Sequence, residues 1–274
     1  MDGGLNTGRA QATAGAGAVP ENRPLLRTHG LRKHFGSVRA VDGVDLSVRA
    51  GELTAVIGPN GAGKTTLFHL ITGAHVPDAG RVYLDGEDIT GWPAAAIVRA
   101  GLARTFQITS VFPDLTALEN VLLPCLARDN DTILFWPAYA RHPSRRRALE
   151  LLDRVGLADQ ADRLCGQMSH ADQKLVEVAM ALATDPRLLL LDEPAAGLAP
   201  GETEHVIGTL RDMVKAGGVT VVLIEHDMDI VFSMADRVVV LHQGRILADG
   251  TPEAIRSNPA VKEVYLGGTF AGRP

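Results

Sequence analysis

The run Gly58-Pro59-Asn60-Gly61-Ala62-Gly63-Lys64-Thr65 has the residue types and spacing of a phosphate-binding loop. Its glycines let backbone N–H groups approach and cradle phosphate oxygens. Lys64 brings a positive charge to the β- and γ-phosphates, and the Thr65 hydroxyl can hold Mg²⁺. Thr66 continues into a segment of helical character, so the loop also lies at the positive end of a helix dipole. A second candidate is the apolar run Leu188-Leu189-Leu190-Leu191, which ends in Asp192 and Glu193. Asp192 is expected to hold Mg²⁺, directly or through water, and Glu193 to orient or deprotonate the water that attacks a γ-phosphate.

These residues need elements that bring them together. Leu53-Thr54-Ala55-Val56-Ile57 has the composition of a buried strand leading into the loop, and residues 66–72 that of a helix stopped by Gly73. Short β-like pieces at Leu25–Phe35, Val38–Val44, Leu46–Val48 and Val82–Leu84 are separated by glycine turns, the last closed by Asp85-Gly86. Helices are expected at Pro93–Ala100, after a capping box at Thr116 and Glu119, at Arg145–Val155, at Lys174–Ala183, at Glu202–Lys215, and after Thr251-Pro252-Glu253. The runs at Leu188–Leu191, Val219–Ile224 and Arg237–Leu241 lack polar alternation, as strands of a buried parallel sheet do.

The bulk composition excludes several classes. With 274 residues, 46% hydrophobic, the chain can bury one large core with an inserted subdomain. A net charge of −5 and 4% aromatics argue against a basic nucleic-acid face or a base-stacking platform. Cys125 and Cys165 lack metal-site spacing and are expected to be reduced thiols. No apolar run has the length of a membrane span, and no secretory signal opens the chain. Residues 1–23, rich in Gly and Ala, are expected to be a disordered tail. The basic cluster Arg145-Arg146-Arg147 is expected to be a solvated helix face, or else a contact for acidic partners or lipid headgroups.

The order P-loop, Gln107, Asp192-Glu193-Pro194, then Glu225-His226-Asp227 resembles the ATP-binding subunits of ABC transporters, over nearly all of the chain from Leu25 to Gly267. The resemblance implies an α/β fold: a P-loop NTPase core of ABC type, with a mostly parallel sheet flanked by helices, an antiparallel β subdomain and an inserted helical subdomain. The implied division is 24–107 and 183–274 for the nucleotide-binding core and 108–182 for the helical part. It further implies that Gln107 contacts Mg²⁺ and senses the γ-phosphate, that His226 hydrogen-bonds that phosphate, and that Phe35 stacks on adenine.

The family's signature peptide, Leu-Ser-Gly-Gly-Gln, stands here as Met168-Ser169-His170-Ala171-Asp172. Ser169 and the backbone of His170 and Ala171 are then expected to face the γ-phosphate of a second subunit, with Ala171 strained where glycine permits positive φ. Ala199 replaces an aspartate that many members carry. The resemblance implies ATP and Mg²⁺ as ligands and a head-to-tail homo- or heterodimer of cassettes. It also implies two integral membrane permease subunits, a solute-binding protein in the full system, no nucleic acid, and a peripheral place at the cytoplasmic face of the inner membrane.

Arg104-Thr105-Phe106-Gln107, Glu193–Leu198, Ile224–Met228 and the tail from Gly250 to Gly267 resemble, more narrowly, the branched-chain amino acid importers, whose near relatives carry urea or short amides. Two alternatives stay open: a soluble ABC-type ATPase, or a nucleotide-binding subunit with weak hydrolysis. A GTPase is disfavoured, because the chain has no Asn-Lys-x-Asp segment.

Overall fold

The computed structural model describes residues 23–105, 111–128 and 142–266, with the side chain of Leu266 left aside. The expected tail (but for Arg23), Gln107 and most of the expected loop at 129–144 therefore lie outside the described residues.

Two sheets form. The first is antiparallel and joins β1 (Leu26–Phe35), β2 (Val38–Val44), β3 (Ser47–Val48), β5 (Ala79–Leu84) and β6 (Glu87–Asp88). The second joins β4 (Leu53–Ile57), β7 (Leu102–Arg104), β8 (Leu188–Asp192), β9 (Thr220–Ile224), β10 (Arg237–His242) and β11 (Arg245–Gly250), in the order β11-β10-β4-β9-β8-β7. All neighbours in it are parallel except β10 and β11.

Every residue of β4, β8 and β9 is buried. Side chains alternate along a strand, so each strand feeds two cores. Ala55, Ile57, Leu189, Leu191 and Leu223 join one; Val56, Leu188, Leu190, Val222 and Ile224 join the other. The second core is closed by helix α1 (Lys64–Ile71), through Leu67 and Phe68, and by the antiparallel sheet. Helix α2 (Ala94–Arg99) adds Ile97 to it.

The first core is closed by α3 (Ala117–Arg128), α4 (Pro143–Arg154), α5 (His170–Leu182) and α6 (Pro200–Lys215). Three further helices, α7 (Met228–Met234), α8 (Pro252–Ser257) and α9 (Pro259–Leu266), cover its far edge.

Local signals act where expected. Thr116 accepts from the Glu119 N–H at 3.1 Å while its own N–H donates to the Glu119 carboxylate at 2.8 Å, a reciprocal cap before α3. Thr251 caps α8, with Pro252 in the first turn. Helix α5 begins at His170, four residues before the sequence expectation, because the Ser169 hydroxyl accepts from the Asp172 N–H at 3.1 Å. Strand β11 and helices α7 and α9 have no counterpart in the sequence reading. The turn into β11 is Gln243-Gly244, at φ +49° and +76°, the two left-handed residues of a tight hairpin.

Candidate active site

The register of the parallel sheet brings the site together. Ile224 of β9 lies level with Val56 of β4 on one side and Asp192 of β8 on the other. The P-loop, Glu225-His226 and Asp192-Glu193 therefore leave the carboxyl ends of three adjacent strands, where open α/β sheets collect ligands.

The loop is pressed from both sides. A Cβ on Gly58 would come within 2.2 Å of the Leu241 carbonyl oxygen, and one on Gly63 within 2.1 Å of the Ala40 carbonyl oxygen. Those two glycines are required by the backbones of β10 and β2. Gly61, at φ +77°, has open space around it. The loop is also tied to the β10–β11 turn, since the Gly244 N–H donates to the Ala62 carbonyl at 2.9 Å.

Lys64 is buried and donates from Nζ to the carbonyls of Gly58 (2.7 Å) and Pro59 (3.1 Å). Burial lowers its pKa, against the pull of the Glu193 and Asp192 charges. A cavity of about 330 Å³ opens above it, lined by residues 60–66, by Val38 and Ala40, and by Glu193 and His226.

On the rim, the Glu193 carboxylate and His226 Nε2 lie 2.6 Å apart. Glu193 sits at φ +52°, a left-handed conformation that costs a non-glycine residue about 1 kcal/mol or more. Its N–H donates to the Ile224 carbonyl at 3.0 Å, which anchors the strained residue to β9.

Asp192 is buried behind this rim and paired with Arg104 of β7, Nη2 to Oδ2 at 2.7 Å. The Arg104 Nε is buried without a hydrogen bond. Sequence reasoning gave Arg104 no role. The only signal was its place three residues before Gln107, and it took the β7–β8 register to set it beside Asp192. His69 of α1 feels the same pair: burial lowers its pKa, and the Arg104 charge adds to that. Glu225, also without an assigned role, is buried beside the rim, and that burial raises its pKa.

The structure thus gathers Lys64, Thr65, Thr66, Glu193 and His226 around one cavity, with Asp192 directly behind. Phe35 is exposed at the end of β1, paired in register with Val38 of the cavity wall, and its ring meets His75 edge-on at 5.5 Å. Gln107 lies outside the described residues. Ser169, His170 and Ala171 do not line the cavity. Ser169 and His170 are exposed at the start of α5 while Ala171 is buried in the core. Neither His170 nor Ala171 has positive φ, so the strain expected at Ala171 is absent.

Among the described residues no group of three His, Cys, Asp or Glu could hold a metal by itself. Thr65 and Asp192 supply one hydroxyl and one carboxylate. Such a donor set suits Mg²⁺ held mainly by phosphate oxygens and water.

The sequence profile of the ABC transporter family matches residues 41–196, and that of the branched-chain amino acid ATP-binding cassette transporters matches residues 245–271. The chain is 44% identical over 254 residues to the high-affinity branched-chain amino acid transport ATP-binding protein BraF of Pseudomonas aeruginosa, covering 90% of this chain and 99% of that one. Among solved structures, an ATP-binding cassette of an ABC transporter in its ADP conformation superposes with a TM-score of 0.79 at 35% identity, covering 89% of this chain and 99% of the other. A dimeric cassette in a post-hydrolysis state, bound to ADP and Pi, superposes with a TM-score of 0.69 at 27% identity, covering 83% and 98%.

Proposed function

The chain belongs to the ABC transporter family, and on that premise we propose that it is the ATP-hydrolysing subunit of a membrane importer for branched-chain amino acids or a related small polar solute. The observation that carries the chemistry is the Glu193–His226 pair, 2.6 Å apart on the rim of a cavity floored by the P-loop and Lys64.

In this reading the loop N–H groups and Lys64 bind the β- and γ-phosphates, Lys64 leaving the Gly58 and Pro59 carbonyls to do so. Glu193 accepts a proton from water as its oxygen bonds to the γ-phosphorus. The bond to the bridging oxygen breaks, and ADP departs with the electron pair. His226 hydrogen-bonds the γ-phosphate and holds the Glu193 carboxylate on the water's side. Mg²⁺, held by Thr65 and, directly or through water, by Asp192, with Gln107 as a further ligand, would neutralise phosphate charge. Phe35, next to Val38 on the outer wall, would stack on adenine.

The cavity is open toward solvent where the γ-phosphate would project. Ser169 with the N–H groups of His170 and Ala171, which lie outside the cavity, would close the equivalent site of a second cassette, homo- or heteromeric. That a solved relative is dimeric supports the pairing of two cassettes. Two permease subunits and a solute-binding protein complete the machine. The place proposed for the chain, by analogy with the family, is peripheral, on the permeases at the cytoplasmic face. Among the described residues no helix is long and apolar enough to cross a membrane.

The test is isolation of the tagged chain from membranes, followed by ATPase assay in proteoliposomes. Two multispanning proteins should co-purify, and leucine with its binding protein should stimulate hydrolysis. Hydrolysis by a chain that never associates with membrane proteins would instead favour a soluble ATPase.

A further inference from the structure

We propose that Glu225 is a positioning residue for hydrolysis: one buried carboxylate that fixes the Glu193 loop and His226 relative to each other. The inference rests on the reading of Glu193 and His226 given above.

Glu225 is 4% exposed. Its Oε1 accepts the Ala195 N–H at 2.9 Å, and its Oε2 accepts the His226 N–H at 3.2 Å. Ala195 is two residues beyond Glu193, and His226 supplies the ring that meets Glu193. A closed circuit results. It runs from the Glu193 carboxylate to the His226 ring, through the His226 backbone to the Glu225 carboxylate, and back through Ala195 and Pro194 to Glu193. The ends of β8 and β9 are thereby locked to each other beyond the last ladder bond.

The residue type fits this role and little else. A buried carboxylate is costly unless its oxygens are bonded, and a strand end could be closed more cheaply by an apolar side chain. An ionised carboxylate, however, offers acceptors on both sides. Glutamine offers an acceptor on one side and a donor on the other, so it can satisfy only one of these two N–H groups. Loss of either bond would free the strained Glu193 loop or the His226 backbone. Displacement of a reacting group by about 1 Å can cost on the order of 100-fold in rate.

The experiment measures kcat and KM for ATP in the assembled transporter carrying Glu225→Gln, Glu225→Asp or Glu193→Gln, with amide hydrogen exchange at Ala195 and His226. Glu225→Gln should lower kcat about 10- to 100-fold with KM within about twofold, and exchange should quicken at one or both amides. Glu225→Asp keeps both acceptors but draws them back by one methylene, and should fall between wild type and the glutamine variant.

Wild-type kcat in Glu225→Gln overturns the inference. So does a rise in KM that accounts for the loss, because that marks a general loosening of the site. Should Glu225→Gln fail to fold, wild-type kcat in Glu225→Asp overturns it equally. Glu193→Gln separates the two layers. If it is inactive while Glu225→Gln is fully active, only the positioning role fails; if it turns over normally, the underlying reading of Glu193 fails.

Discussion

The P-loop and the start of α5 both present backbone N–H groups at a helix N-terminus, and they are built in opposite ways. The P-loop is clamped between the backbones of β2 and β10, lies over a buried lysine, and forms one wall of a cavity whose other residues come from the same chain. The start of α5 has one buried residue, Ala171, beneath an exposed Ser169 and His170, and it does not line that cavity. On the proposed function, the contrast amounts to a divided phosphate site. One half would carry the charge, the base and the preorganisation within a single chain. The other would be a surface cap that gains a ligand only when another cassette supplies it.

Several substitutions would break or sharpen that contrast. The largest effect is expected at Lys64→Ala, which removes the cation that lines the P-loop wall. ATP hydrolysis should fall by about 100-fold or more, with calorimetry showing weakened ATP binding. At the other half, Ser169→Asp preserves a good helix cap but sets a carboxylate toward the expected γ-phosphate. Its melting temperature should match wild type while transporter ATPase falls by roughly tenfold or more. Equal loss of stability and activity would reduce Ser169 to a cap.

A smaller effect is expected at Ala199, the N-cap of α6. There only the reciprocal bond from the Ala199 N–H to Glu202 exists, at 3.1 Å, and no side-chain acceptor faces the helix. Ala199→Asp should stabilise the chain by about 1 kcal/mol in denaturant titration.

The smallest concerns Cys165, beneath the turn that leads to Ser169, where burial pushes the thiol up to about 11 from the ordinary 9.0. It should resist alkylation at pH 8 until the chain unfolds. Because the unfolded thiol ionises first, stability should decline as pH rises from about 9 to about 11, and Cys165→Ala should flatten that slope.

The clamped half was far more legible in the sequence than the open one, for physical reasons. The P-loop, Asp192 and Glu193 follow apolar runs whose lack of alternation marks a parallel sheet, and parallel strands deliver their carboxyl ends to one edge. What remained hidden depended on register or on single side-chain bonds. Arg104 became Asp192's partner only through the β7–β8 pairing. Glu225 stood beside His226 in the chain with nothing to mark its two backbone bonds.

The sequence expectation starts α5 four residues late because the apolar pattern begins only at Leu175, next to Lys174, whereas the cap at Ser169 decides the boundary. The only sequence mark of β11 is Gln243-Gly244, a weak turn pair until both residues are seen at positive φ. The expected steric strain at Ala171 came from assuming glycine-like dihedrals where an ordinary helical turn exists.

The most direct test of the divided site is paired measurement of ATP binding and ATP turnover by Glu193→Gln in the assembled transporter. ATP should bind with wild-type affinity, because the loop and Lys64 are untouched, while turnover at this site drops by about 100-fold or more. Turnover at the wild-type rate, or a loss of binding that matches the loss of turnover, would contradict the account.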